Sequence, residues 1–179
     1  MDTKTLCLGT LCFGDASGYD IKKMFEVAYS HFQGAGFGSI YPALAALERE
    51  GLVGRREEKQ DKRPDRKVFS ITEAGRERLL ATLNQSPPLE KYRSDFLVIM
   101  FFAHLLDTER LREVLEQHRQ DVQTDLNELQ SIRDNCTLSE GMRFTVECGI
   151  ACMEARLKVL RDRGETLLTH HSTLPEPPT

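Results

Sequence analysis

Apolar side chains recur every three or four residues in one short segment, which predicts an amphipathic helix. Ile40, Leu44 and Leu47 fall on a single stripe that we expect to be buried. Ser39 is a favoured N-cap residue, and Gly51 suits the left-handed position just after a helix end. The opposite face is small near its start and uncharged until its end; it consists of Ser39, Tyr41, Pro42, Ala43, Ala46 and Arg49.

Two further helices are predicted upstream. Residues 4–13 are apolar on most sides, which indicates a buried first helix. A second helix is predicted over residues 19–31, with Ser17 or Asp15 as its cap. The apolar stripe of this second helix comprises Ile21, Met24, Phe25 and Ala28. The glycine-bearing segment 33–36 then separates it from the helix that starts near Ser39, and this arrangement is typical of a helix-turn-helix.

The pattern changes period after Gly51. Residues 52–59 indicate a half-polar strand, residues 60–65 contain turn chemistry, and residues 66–72 alternate like a returning strand. Thr72 is a suitable cap for a helix that continues to Leu83. Three helices, a two-stranded hairpin and a fourth helix together predict a winged helix-turn-helix. The uncharged front of the third helix favours insertion into a DNA major groove, where phosphate would repel large acidic side chains.

The C-terminal half is predicted to be helical throughout. After the linker at residues 86–88, helices are expected over residues 94–106, 108–135 and 139–163. The first contains the longest apolar run of the chain, and we expect it to be buried on nearly all sides. In the second, Leu115, Val122 and Leu129 lie seven residues apart and predict a seam like that of a coiled coil.

The third C-terminal helix is apolar on two sides. One stripe comprises Met142, Val146, Ile150, Met153, Leu157 and Leu160, and the other comprises Phe144, Cys148, Cys152 and Ala155. Because three helices offer too little surface to cover both stripes, self-association is expected.

The chain is therefore predicted to be mainly α with a small β-hairpin. We expect a winged helix DNA-binding domain over residues 1–85, a helical dimerisation domain over residues 86–169 and a disordered tail over residues 170–179.

Charge is distributed unevenly along the 179 residues, whose net charge is −4. Residues 1–85 carry 13 Lys and Arg against 12 Asp and Glu, whereas residues 86–179 carry 11 against 16. Within residues 55–67, seven basic side chains face four acidic ones. Phosphate responds to this local patch and not to the chain average, so the predicted wing is a candidate for DNA contact.

Several classes of protein are disfavoured by what the sequence lacks. It has no apolar run of 18 residues and no basic-then-apolar leader, so a cytoplasmic protein without a membrane partner is expected. The odd number of cysteines, five, argues against a disulfide framework, and the lack of a CxxC pair argues against a structural zinc site. No GxGxxG, P-loop or paired-carboxylate motif stands out, so we expect neither catalysis nor a cofactor.

The N-terminal half resembles the PadR family of bacterial transcriptional regulators, in the branch with a long helical C-terminal region. The residues that carry the resemblance are SGYDI at 17–21, SIYPAL at 39–44, LEREGLV at 47–53 and RPDRKVFSITEAG at 63–75. The PDRKV block looks most like the virulence-activator type of that branch. The C-terminal half is similar in length and helical layout only.

The resemblance implies a homodimeric winged helix repressor or activator that binds an inverted repeat in double-stranded DNA. It also implies a small apolar or phenolic effector, sometimes bound near the junction of the two domains. Two departures from the family pattern matter. Phe69 stands where the family usually has tyrosine, which removes a hydroxyl contact to phosphate, and the chain has no Trp to form the aromatic ligand sandwich of the drug-binding members.

The candidate DNA contacts lie on the third helix, at the start of the second and in the wing. Ser39 and Tyr41 are expected to face the groove, and Gly38 lets the backbone approach a phosphate. The full set comprises Tyr19, Lys22, Gly38, Ser39, Tyr41, Pro42, Lys62, Arg63, Arg66 and Lys67. Acidic neighbours are expected to neutralise part of the wing charge by local pairing: Glu57, Glu58, Asp61 and Asp65.

The candidates for the dimer core or the effector site lie in the C-terminal half. They are Phe96, Met100, Phe101, His104, Leu115, Val122, Leu129, Phe144 and Met153. For each residue considered as an effector lining, plain dimer core is the competing interpretation. Regulation is expected to act on the separation of the paired recognition helices, which must match half-sites about 10 bp apart or a multiple of that.

Two alternatives to an effector-controlled DNA-binding regulator stay open. One is a winged helix that binds protein and not DNA. The other is a thiol-based sensor that uses Cys148 and Cys152, which lie one helical turn apart. Against the second stands the simpler interpretation that these cysteines are small buried apolar residues.

Overall fold

The computed structural model describes residues 1–29, 32, 37–58, 66–90 and 92–170, with only the backbone of residues 27, 28 and 37. The chain divides into two compact units, Met1–Leu89 and Glu90–Thr179. Within the described ranges, no helix combines the length and the apolar character that crossing a bilayer requires.

The N-terminal unit contains four helices and a small sheet. In chain order its elements are α1 (Thr3–Leu11), β1 (Ala16–Ser17), α2 (Gly18–Met24), a π-helical turn (Phe25–Tyr29), a 3-10 turn (Phe37–Ser39), α3 (Ile40–Arg49), β2 (Val53–Glu58), β3 (Arg66–Ile71) and α4 (Glu73–Gln85). The predicted winged helix fold is confirmed. The predicted turns at residues 33–36 and 60–65 lie outside the described residues.

The sheet has three antiparallel strands in the order β1-β3-β2, where the sequence predicted two. The predicted hairpin is present, with Arg55 opposite Phe69. On the other side of β3, Ala16 also lies opposite Phe69 and Ser17 lies opposite Val68. A two-residue strand is too short for alternation to reveal it, because its only signal is a pairing across more than 50 positions of the chain.

The core of the N-terminal unit confirms the predicted stripe of α3. Ile40, Leu44 and Leu47 are buried against residues of α1, α2 and the sheet. Ala43, which the sequence placed on the outer face, is only 7% exposed and belongs to this core. The buried arc of a surface helix is at least about 100° wide, so it can include a residue beside a three-residue stripe. Met24, predicted to be on the buried stripe of α2, is exposed. Phe69 is buried in the same core, so this position offers no surface for a phosphate contact.

Two of the predicted helix N-caps are confirmed and one is wrong. Ser17 and Asp20 form a capping box at α2, and Thr72 Oγ1 accepts a hydrogen bond from the Gly75 N–H at α4. Gly51 follows α3 with a φ of 70°, as predicted. Ser39 precedes α3 but makes no side-chain capping bond, because its backbone already has helical angles in the preceding 3-10 turn.

The C-terminal unit consists of three α-helices and a 3-10 turn. They are α5 (Asp95–Phe101), the 3-10 turn (Ala103–Leu105), α6 (Thr108–Asn135) and α7 (Glu140–His170). Helix α7 runs beyond its predicted end at residue 163, and it includes the first residue of the predicted tail. Residues 171–179 lie outside the described part of the chain.

Helices α6 and α7 share a core that confirms the predicted seam in part. Val122 and Leu129 of α6 are buried against Val146, Ile150 and Met153 of α7. Leu115, which lies nearer the start of α6, is only half-buried.

The sequence predicted that α5 is buried on nearly all sides, and this prediction is wrong for the single chain. None of its residues is buried in the single chain, and Phe101 at its end is 79% exposed. The second stripe of α7 is also open: Phe144 is 70% exposed, and Cys148 and Cys152 are exposed and not buried apolar residues. One chain supplies too few helices to cover these faces.

Candidate nucleic-acid interface

The start of α3 presents an uncharged face to solvent. Tyr41 is 58% exposed, and Pro42, Gly38 and Ser39 are also exposed. The buried stripe of α3 fixes the rotation of the helix about its axis, so that this face has one orientation with respect to the unit. The structure thus brings four of the predicted DNA contacts to one surface.

The ring of Tyr41 lies against the backbone of Gly18, the first residue of α2. A Cβ atom at Gly18 would lie 2.5 Å from Cε1 of Tyr41. The following residue, Tyr19, is 67% exposed. The beginnings of α2 and α3 therefore meet, and Gly18 leaves the space in which the Tyr41 ring sits. No local sequence pattern indicates that Gly18 positions Tyr41, since the two are 23 positions apart.

The start of α1 also contacts the beginning and the end of α3. Thr3 Oγ1 lies 2.9 Å from Ser39 Oγ, within hydrogen-bond distance, and Lys4 forms an ion pair with Glu50. Thr3 therefore helps to orient Ser39, although nothing in the local sequence indicates it. This contact takes the place of the N-cap bond that was predicted for Ser39.

Arg66 is engaged with the capping box of α2. Its guanidinium donates to the Asp20 carboxylate and, at 3.4 Å, to Ser17 Oγ. Partial burial acts to raise the pKa of Asp20, but hydrogen bonds from Ser17 Oγ, the Ser17 N–H and Arg66 outweigh it, and the pKa lies below its ordinary value. Arg66 therefore ties β3 to α2, while its neighbour Lys67 is exposed and has no carboxylate partner among the described residues.

In the described part of the wing, arginines pair with acidic residues of other elements as well as with a local acid. Arg56 pairs with Asp15 and, at 3.0 Å, with Glu58. The hydrogen bonds to Asp15 and then Glu58 raise the pKa of Arg56. Arg55 pairs with Glu48 of α3 at 3.4 Å. Of the predicted local acids, Glu58 does pair with an arginine of the hairpin.

One predicted DNA contact is engaged in a local ion pair, and two others lie outside the described residues. Lys22 forms an ion pair with Glu26 one turn further along the chain, at 3.5 Å. Lys62, Arg63, Asp61 and Asp65 lie outside the described residues.

The C-terminal unit contains two adjoining cavities that involve only some of the predicted effector residues. Phe96 lines both cavities and Met100 lines one, whereas Phe101, His104 and Phe144 line neither. The Phe96 ring stacks on His118, with the ring centroids 3.7 Å apart. Tyr92, His118 and Arg156 line the larger cavity and were not predicted, because no local pattern links residues so far apart.

The two halves of the chain match two protein-family models. Residues 7–81 match the transcriptional regulator PadR-like family, and residues 92–162 match the C-terminal region of virulence activator alpha. The negative transcriptional regulator PadR of Bacillus subtilis is 28% identical over 144 residues, which are 79% of each chain.

Solved structures are similar over almost the whole chain. The PadR-like transcriptional regulator BC1756 from Bacillus cereus is 28% identical, with a TM-score of 0.81 over 92% of this chain and 94% of that one. Bacillus subtilis PadR in complex with operator DNA is 24% identical, with a TM-score of 0.72 over 93% and 96% of the two chains. The same protein in complex with p-coumaric acid is 22% identical, with a TM-score of 0.64 over 95% and 98%.

Proposed function

The chain belongs to the PadR-like family of transcriptional regulators, and we propose that it binds an inverted-repeat operator as a homodimer. The observation that carries this proposal is the exposed, uncharged start of α3, with the Tyr41 ring held against Gly18. A rigid aromatic side chain on a small helix face can enter a major groove and contact base edges. Operator binding places the protein in the cytoplasm.

Base contacts and phosphate contacts come from different residues. Ser39, Tyr41 and Pro42 face the groove, while Gly38 lets the backbone approach a phosphate. Tyr19, Lys22 and the wing residues contact the DNA backbone; the wing set comprises Lys62, Arg63, Arg66 and Lys67. Lys67 contributes more than Arg66, because the Arg66 guanidinium is already engaged by Asp20 and Ser17.

Dimerisation uses the C-terminal unit. The open apolar faces of α5 and α7, with Phe101 and Phe144 as their most exposed rings, are the surfaces that a second copy covers. Two copies related by a two-fold axis present paired α3 helices to half-sites about 10 bp apart or a multiple of that. Bacillus subtilis PadR, which has a similar fold, has been solved in complex with operator DNA, and this supports operator binding.

A small apolar or phenolic effector modulates operator binding. Bacillus subtilis PadR has been solved with p-coumaric acid, which supports a ligand-responsive regulator. An effector changes operator affinity only if it binds one dimer geometry better than another. The candidates that contact it are Phe96 and Met100, which line cavities of the C-terminal unit.

A gel-shift experiment with the DNA upstream of the chain's own gene tests the proposal. The parent protein is expected to shift this DNA, and Tyr41→Ala is expected to weaken the shift by about tenfold or more. Lys67→Ala should weaken binding to all sequences alike, because phosphate carries no sequence information. Lys158→Ala is a matched control, since Lys158 lies on α7 and is paired with Asp162. A chain that does not bind this DNA at modest salt contradicts the proposal and favours a protein-binding winged helix. A Tyr41→Ala variant that binds as well as the parent contradicts the groove contact assigned to Tyr41.

A further inference from the structure

A continuous groove runs between α5 and α7 in the C-terminal unit. It consists of two cavities of about 480 and 370 Å³ that share Phe96, Leu97, Val159 and Leu160. We call it the α5–α7 groove. Its combined size lies in the range of small-molecule sites, and its shared wall is entirely apolar.

The groove is long. The residues of α7 that line it run from Ala155 in the larger cavity to His170 in the smaller one. At a helical rise of 1.5 Å per residue, these two residues lie about 22 Å apart along the axis. That is the length of an extended long acyl chain, and a single aromatic ring would fill only one end.

Arginine side chains line the groove, and they have no carboxylate partner within the described part of the chain. Arg93 and Arg156 line the larger cavity and Arg163 lines the smaller one. None of the three forms an ion pair with another described residue, whereas Arg161 on the same helix pairs with Asp162. The groove thus has an apolar wall and guanidinium groups that can still bind a carboxylate.

Arg156 is held in position at one end of the groove. Its guanidinium carbon lies 5.5 Å from the centre of the Tyr92 ring, and its Nη2 donates to Tyr92 Oη at 3.3 Å. A guanidinium has five N–H donors, so this contact leaves donors for a bound anion. Fixing the side chain in advance lowers the entropic cost of that binding.

Two acidic residues of α6, Asp121 and Asp125, act electrostatically on His118 at this end of the groove. Partial burial lowers the pKa of His118, the Arg156 charge lowers it further, and Asp121 and Asp125 act in the opposite direction. Neutral His118 stacks on Phe96 and adds an apolar surface there. Asp121 accepts a hydrogen bond from Gln117, so part of its charge is already satisfied on α6.

We propose that the α5–α7 groove binds a long-chain carboxylic acid. The carboxylate lies at Arg156 and Arg93, and the acyl chain follows Leu97 and Leu160 towards Met100. A role of this acid in regulating operator binding rests on the proposed function, because it requires an operator-binding dimer. Binding of the acid to the groove does not depend on the proposed function.

Calorimetric titration of the full chain with sodium dodecanoate, below its micelle concentration, tests the headgroup contact. The parent protein is expected to bind, and Arg156→Gln should weaken binding by about tenfold, the value of one charge-assisted contact. Arg161→Gln is the matched control, because Arg161 lies on the same helix but lines neither cavity, and its affinity should equal that of the parent. Methyl dodecanoate, which has no charge, should bind about tenfold more weakly than the acid.

Gly164→Leu tests the acyl-chain contact. Gly164 lines the smaller cavity, and a Cβ atom there would meet nothing within 4 Å. Leucine favours a helix over glycine, so the variant should fold while its side chain occupies the far end of the groove. Affinity for hexadecanoate is expected to fall by about tenfold or more, because its buried methylenes extend to the far end of the groove. Affinity for octanoate should change little, because its shorter chain does not extend that far.

Three results would overturn this proposal. They are the absence of dodecanoate binding by the parent, equal affinities for Arg156→Gln and Arg161→Gln, and binding that appears only in a variant made monomeric. The last result would mean that a second copy fills the groove. Titration involves no DNA, so these failures leave the operator proposal standing, and a failed gel shift leaves the acid site standing.

Discussion

The Tyr41 ring rests on the backbone of Gly18, at a distance that leaves no room for a Cβ atom. Gly18→Ala is therefore expected to displace the ring and to weaken operator binding by about tenfold, because an aromatic contact in a groove depends on its aim. The fold should tolerate the change, since the exposed end of the tyrosine side chain can move. Gel shifts of Gly18→Ala, Tyr41→Ala and the double variant measure the coupling. If Gly18→Ala weakens binding equally in the Tyr41→Ala background, the two residues do not act together.

Asp20 links pH to the stability of the N-terminal unit. Its pKa is lowered in the folded state, so Asp20 stabilises the fold above its unfolded pKa of about 3.9, and this contribution is lost as the pH falls below that value. At neutral pH, Asp20→Asn should lower the free energy of unfolding by about 1 kcal/mol, the worth of a helix cap. Near pH 3 the difference between parent and variant should shrink.

Urea unfolding at the two pH values measures this effect. Asp15→Asn is the control, because Asp15 pairs with Arg56 on the surface and caps no helix in the described structure, and such pairs contribute little. A parent–variant difference that grows in acid would contradict the assigned direction.

Gly75 lies where α4 approaches the chain that leaves α3. A Cβ atom at this position would lie 2.2 Å from the Leu52 carbonyl oxygen and 2.9 Å from Ile71 Cγ1. Because a backbone atom cannot move aside cheaply, Gly75→Ala should lower the free energy of unfolding by about 2 kcal/mol or more. Gly9→Ala in α1 is the contrasting variant: a Cβ there meets nothing within 4 Å, so alanine should stabilise the helix by about 0.5–1 kcal/mol. Thermal or urea unfolding distinguishes the two, and similar effects of both changes would refute the packing argument.

Substitution of Phe101 tests which surface forms the dimer interface. Replacing it by glutamate removes an exposed ring from the end of α5 and adds a charge that association would have to desolvate. The loss applies to both copies, so the dissociation constant of the dimer should rise at least about 100-fold. Sedimentation velocity measures the shift, and Arg112→Glu on the exposed side of α6 is a charge-change control. A dimer of unchanged stability in Phe101→Glu would place the interface elsewhere.

The five cysteines should differ in reactivity. Burial, and to a lesser degree the nearby Asp2, raises the pKa of the Cys7 thiol to about 12, so it stays protonated and enclosed at pH 8. Iodoacetamide is expected to label Cys12 and Cys136 in the native protein and Cys7 only after unfolding. Mass spectrometry of the digested protein reads out each site. Cys148 and Cys152 are exposed in the single chain, and if they formed a thiol sensor, Cys148→Ser would abolish an oxidant-induced loss of operator binding.

The elements of this fold could be predicted from the sequence because the patterns that indicate them are local. The stripe of Ile40, Leu44 and Leu47, the cap at Ser17 and the left-handed Gly51 each depend on residues a few positions apart, and each is present as predicted. The same local signals placed Tyr41 and Pro42 on the outer face of α3. They failed for Ala43, because the width of a buried arc depends on what packs against it.

The amino-acid sequence by itself determined the winged helix, the helical C-terminal half and the exposed front of α3, since helix period, strand alternation and caps are short-range properties. Only the tertiary structure decided that Arg66 is held by Asp20, that Thr3 reaches Ser39, and that α5 is left open in the single chain. Each of these depends on which distant segments meet, and side-chain pairing across 30 or more positions leaves no periodic trace in the chain.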